Sequence, residues 1–81
     1  GETATFTCTV DRINIRKAPS TKGKLTGDWY EKGMSVKYDG YVKREGYVWI
    51  SWIGKDGTRR WMAAGTLKNG VRDKSYGTFG V

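Results

Sequence analysis

The sequence predicts an all-β domain, a small closed or half-open barrel of five to eight short strands around a single core. Three observations carry this. With 12 Gly among 81 residues, no window of 11 places apolar side chains at i, i+3, i+4 and i+7. Strand-like alternation recurs along the chain, with turn signals about every ten residues. A chain of this length buries roughly 60% of its unfolded surface, enough for one core. Aromatic residues, at 14%, supply bulk that the modest aliphatic content does not.

The elements follow in order. From Thr3 to Val10, Ala4, Phe6, Cys8 and Val10 share one face and Thr3, Thr5, Thr7 and Thr9 the other, a half-buried strand with Cys8 as a small core filler. Ile13 and Ile15 alternate with Arg12, Asn14 and Arg16, and Lys17 to Lys24 is an exposed basic loop holding the single proline, Pro19. Met34, Val36 and Tyr38 alternate again, and Asp39-Gly40 offers a turn or bulge before Tyr41 and Val42. Lys43 to Gly46 links this segment to Tyr47–Ile53, a central strand expected to be covered on one face and to present rings on the other. Gly54-Lys55-Asp56-Gly57 turns the chain into Arg59–Ala64, which pairs back. After Gly65 the polar segment to Ser75 carries the turn Asn69-Gly70, and Tyr76 to Gly80 closes as a short strand.

Composition narrows function. The chain has no His, which removes imidazole acid–base work, Ser-His and Cys-His nucleophiles and His-ligated zinc. A lone Cys8 forms neither an internal disulfide nor a thiolate metal site, so no metal and no cofactor are expected. The acids Asp11, Asp28, Glu31, Asp39, Glu45, Asp56 and Asp73 mostly fall in turns, and no catalytic residue is assigned among them. Fifteen Lys and Arg against 8 Asp and Glu leave a charge of +7, spread along the chain, which favours an anionic surface by diffuse attraction. The stretch Tyr47 to Ile53 is far below the roughly 20 apolar residues of a membrane span. Gly1 to Ala4 carry no initiator Met and no leader pattern, which reads as a piece of a longer polypeptide.

Ile13-Asn14-Ile15-Arg16-Lys17-Ala18-Pro19-Ser20 resembles the Asn-Val-Arg-x-x-Pro-Ser signature of bacterial SH3 domains. Tyr38-Asp39, then Gly46 to Gly54, then Gly57-Thr58-Arg59-Arg60-Trp61, and the closing Tyr76-Gly77-Thr78-Phe79 are similar, in that order, to the subgroup that ends lysostaphin-like bacteriocins and phage endolysins. The resemblance covers Thr5 to Phe79 and implies an SH3-like barrel, one domain over residues 1–81, forming the C-terminal part of a longer lytic enzyme. It implies a non-catalytic module that docks an attached catalytic domain onto Gram-positive peptidoglycan by gripping the peptide cross-bridge and stem. The parent protein would be phage-encoded or secreted and act at the cell wall.

Matched by motif, Asn14 and Arg16 fall at the loop side of the family's groove, Gly40 and Val42 beside the strand bend, Tyr47 before the central strand, Trp61 opposite and Tyr76 near the end. Gly40 stands where relatives carry an acidic residue and Tyr76 where they carry Trp, so a pentaglycine preference does not carry over. Rigid Trp and Tyr rings suit a ligand made mostly of backbone amides. Alternation separates Trp49 from Val48, Ile50 and Trp52, and either set could face inward; Trp52 is counted with the groove and Trp49 with the core. Anionic wall polymers are expected as a further partner, and self-association stays open. Nucleic acid is the alternative partner, since small basic barrels with exposed rings also bind single strands, but no basic stripe or closely spaced Phe motif accompanies the charge here. A Pro-rich peptide reader lacks its acidic loop.

Overall fold

The computed structural model describes residues 4–80, so Thr3, the expected start of the first strand, lies outside the described residues. Alternation in the first segment does what period 2 requires: β1 (Ala4–Cys8) buries Ala4, Phe6 and Cys8 and leaves Thr5 and Thr7 half-exposed. Val10 falls beyond β1 and packs half-buried against the core. β2 (Arg12–Arg16) buries Ile13 and Ile15, β3 spans Leu25–Glu31, β4 Ser35–Tyr38, β5 Gly40–Arg44, β6 Tyr47–Ile53, β7 Arg59–Lys68, β8 Val71–Ser75 and β9 Gly77–Gly80.

The all-β expectation is borne out, with nine strands among the described residues where five to eight were expected. They form two antiparallel sheets: a three-stranded one ordered β4-β1-β9 and a six-stranded one ordered β3-β2-β7-β6-β5, with β8 beside β7. The arrangement is a small sandwich more than one closed barrel. Phe6, Cys8 and Tyr38 of the small sheet meet Ile13, Ile15, Ile50, Met62 and Ala64 of the large one in a shared core. Cys8 is 1% exposed and its thiol donates to the Val10 carbonyl at 3.2 Å. No helix among the described residues is long and apolar enough to cross a membrane.

Turn chemistry pins the hairpins. Glu45 and Gly46 between β5 and β6, and Asn69 and Gly70 between β7 and β8, all have positive φ, the signature of a two-residue turn whose twist matches the flanking strands. Gly77 is required by space: a Cβ there would run into the Thr7 carbonyl oxygen and the Phe6 ring.

Three expectations change. Met34 does not join the buried face of β4; it is 44% exposed in the turn before the strand. β6 does not present bare rings, because Val48 to Ser51 are all buried and both faces are covered along that stretch. The pairing with β7 also steps within this stretch: Val48 pairs with Gly65 but Trp49 with Ala63. Last, the basic loop leads into β3, a strand with mostly exposed residues.

Candidate functional site

Strand register sorts the candidate residues by face. Residues directly opposite in an antiparallel pair share a face, as do residues two apart on one strand. Arg16 lies opposite Trp61, Trp61 opposite Ser51, and Ser51 opposite Gly40. One row therefore crosses β2, β7, β6 and β5. A second row sets Trp49 between Val42 and Ala63, and Tyr47 follows opposite Arg44. This face looks away from the core side of the sheet, which carries Ile13, Ile15, Ile50 and Met62.

A groove of about 390 Å³ opens on this face, lined by Val10, Arg12, Ile13, Asn14, Arg16, Thr21, Tyr47, Trp49, Ala63 and Tyr76. Trp49 is its floor: 1% exposed, with its indole N–H donating to the Arg44 carbonyl at 3.0 Å. The Tyr47 ring stands edge-on to it, centroids 5.8 Å apart, and forms a wall. Tyr76 is held by its backbone, donating to the Ala64 carbonyl at 2.8 Å and accepting from the Thr9 amide at 2.9 Å. Burial first, and then nearby Tyr47, push the Tyr76 phenol above its ordinary value, so it keeps its proton as a donor at neutral pH.

The loop of residues 17–24 makes the far rim. Arg16 Nη1 donates to the Gly23 carbonyl at 2.9 Å and so braces the loop against β2. The Thr21 amide and hydroxyl both donate to Glu45 Oε1, at 3.3 and 3.0 Å, tying the loop to the β5–β6 turn. Hydrogen bonds from Ser20 and Thr21 hold the Glu45 carboxyl below its usual range. At the other end the Arg12 guanidinium lies over the Trp29 ring, 4.0 Å from its centroid. Its Nε donates to Asn14 Oδ1 at 3.2 Å.

A second groove, of about 470 Å³, is lined by Ile15, Asp28, Trp29, Tyr30, Met34, Trp52, Gly54, Lys55, Asp56 and Arg60. Trp52 is half-buried there, edge-on to Tyr30 with centroids 5.9 Å apart. Arg60 Nη2 pairs with Asp56 Oδ2 at 2.8 Å. Hydrogen bonds from Thr58, then from Arg60, hold the Asp56 carboxyl well below its usual range. Among the described residues, no group of three or more His, Cys, Asp or Glu is placed to hold a metal ion.

Of the residues chosen from sequence, Asn14, Arg16, Tyr47 and Tyr76 come together in the first groove. Gly40, Val42 and Trp61 share its face by register but do not line it. Trp52 lies on the opposite face, in the second groove. Sequence reading missed Arg12, Thr21 and the exposed Trp29, and assigned Trp49 to the core although it also floors the groove. Arg12 was within reach of period 2, being two residues before Asn14; Trp29 needed the β2–β3 register that sets it opposite Asn14.

Comparison with known proteins places the chain in a family. A family model described as "Bacterial SH3 domain" matches residues 1–64. "Probable autolysin PH" of Staphylococcus aureus (strain NCTC 8325 / PS 47) is 39% identical over 67 residues, covering 82% of this chain and 14% of the autolysin. The crystal structure of Ly7917 is 45% identical, covers 96% of this chain and 34% of its own, and superposes with a TM-score of 0.89. The cell wall binding domain of the Staphylococcal phage 2638A endolysin is 34% identical, with a TM-score of 0.87, and covers 95% of this chain and 86% of its own. The chain thus spans a small part of the full-length relatives and nearly all of an isolated binding domain. It belongs to the bacterial SH3 domain family.

Proposed function

We propose that this domain binds Gram-positive peptidoglycan and catalyses nothing itself, laying the peptide cross-bridge and adjoining stem in the groove between the 17–24 loop and the β5–β6–β7 face. The supporting observation is the convergence of Asn14, Arg16, Tyr47 and Tyr76 on one groove floored by Trp49. Flat ring walls exclude bulky side chains, while Asn14, the Tyr76 phenol and Arg16 offer polar groups to a ligand that is mostly backbone amide. A relative bearing 34% identity is named a cell wall binding domain of a phage endolysin, which favours a wall ligand over nucleic acid.

On this reading the domain is carried by a longer lytic enzyme, phage-encoded or secreted, whose catalytic domain it holds at the wall. The charge of +7 adds diffuse attraction to anionic wall polymers and raises the encounter rate. Mixing the domain with purified sacculi and, separately, with single-stranded oligonucleotides, then sedimenting or filtering, tests the proposal. Depletion by sacculi is expected; depletion by oligonucleotides alone would replace the reading with nucleic-acid binding.

A further inference from the structure

Arg12 and Arg16 both line the first groove, and among the described residues no Asp, Glu or Lys lines it with them. This sets them apart from Arg59 and Arg60, which are ion-paired to Asp39 and Asp56 at 2.7 and 2.8 Å. Arg12 has a carboxylate within reach and does not use it. Glu31 sits directly across from it in the β2–β3 register, yet Glu31 Oε2 accepts the Trp29 indole N–H at 2.9 Å. The Arg12 guanidinium instead lies over the Trp29 ring, 4.0 Å from its centroid, and its one hydrogen bond among the described residues runs from Nε to Asn14. Among the described residues, neither η nitrogen has a protein partner at the groove end. A guanidinium held over a ring and anchored through Nε is oriented before any ligand arrives, and its free edge is the fork that meets a carboxylate with two parallel hydrogen bonds.

We infer that Arg12, positioned by Trp29 and Asn14, is the carboxylate-binding end of the groove, and that the domain selects wall peptides bearing a free carboxylate beside the run of small residues in the groove. The inference rests on the groove reading above and narrows its ligand to an acidic peptide. A phosphate-bearing polymer is disfavoured because the groove is ring-walled and carries no lysine among its described lining residues.

The test is titration of the domain with N-acetyl-tetraalanine ending in a free carboxylate or in a carboxamide, with glycerol phosphate as a competitor. The carboxylate peptide is expected to bind about tenfold more tightly, the size of one added charge-assisted contact. Arg12→Gln is expected to bring that ratio close to one, and Arg12→Lys and Trp29→Leu to leave it between the two values, with folding checked by circular dichroism. Rescue of charge without stacking in Arg12→Lys separates a positioned fork from a generic cation. An equal affinity of the native domain for both peptides, or a ratio unmoved by Arg12→Gln, would overturn the carboxylate site while leaving the groove intact. Competition by glycerol phosphate at concentrations below those of the peptide carboxylate would overturn it in favour of a polymer phosphate. Binding of sacculi but of neither peptide would remove both the carboxylate site and the groove reading, leaving wall binding to another surface.

Discussion

The two grooves differ in what their charges are doing. The second is the larger, about 470 against 390 Å³, and is equally furnished with rings. Its two acids, Asp28 and Asp56, however, share the lining with Lys55 and Arg60, and the Arg60 guanidinium is already engaged by Asp56 and Thr58. In the first, two guanidiniums stand without a carboxylate among the described lining residues. Trp29 is the ridge between them: it lines the second groove and supports Arg12 of the first. Size and aromatic content do not tell a binding groove from a surface crease here. On the proposed reading unspent charge is what separates them, because a guanidinium already satisfied inside the protein has little to gain from a ligand.

The sharpest way to break this comparison is to remove the floor of the first groove. Trp49→Ala is expected to cost about 3–5 kcal/mol, as for other buried Trp truncations, which is most of the stability of a domain this size; denaturant midpoints would measure it. Trp61→Ala should act on binding instead: its half-exposed ring lies beside the groove on the same face and outside its lining, so sacculus affinity should fall a few-fold with a native circular-dichroism spectrum. Trp52→Ala is the mirror control. It should cost about 2 kcal/mol through lost core contact, with sacculus binding per folded molecule near the native value.

A smaller effect belongs to Glu45. Its carboxyl titrates below its ordinary 4.5 in the folded state, so its tie to Thr21 is fully present above that value and is lost as pH falls through the lowered one. The Thr21 amide resonance should therefore hold its position down to about pH 4.5 and move below it, and Glu45→Gln should weaken wall binding at neutral pH by a few-fold through a looser loop rim. Asp56→Asn should change least: it breaks an exposed ion pair beside the second groove, and surface pairs contribute little. A loss of sacculus binding in that variant would shift the site to the second groove.

Much of the fold was legible because its signals were local. Alternation in Ala4–Cys8 and the turns at Glu45-Gly46 and Asn69-Gly70 each depend on a few adjacent residues, and the strands formed where they pointed. Which way Trp49 and Trp52 face was not legible, because period 2 separates the two rings without saying which set meets the core, and pairing with β5 and β7 decides that. β3 was missed for a related reason. Leu25 to Glu31 shows no fully buried residue and carries Gly27 at positive φ, so, half-buried Tyr30 apart, it is held mainly by pairing with β2. The site was half legible. Family motifs led to Asn14, Arg16, Tyr47 and Tyr76, whereas Trp52 shared their aromatic character and landed on the other face.

The sealed position of Cys8 gives the molecule a built-in clock. Its thiol is 1% exposed at the heart of the small sheet, so a labelling reagent reaches sulfur only as fast as that sheet parts from its neighbour. Since the chain has one cysteine, the labelling rate of the untouched protein times the opening of its core, and ligand held on the far face of the large sheet should slow that clock in proportion to its occupancy.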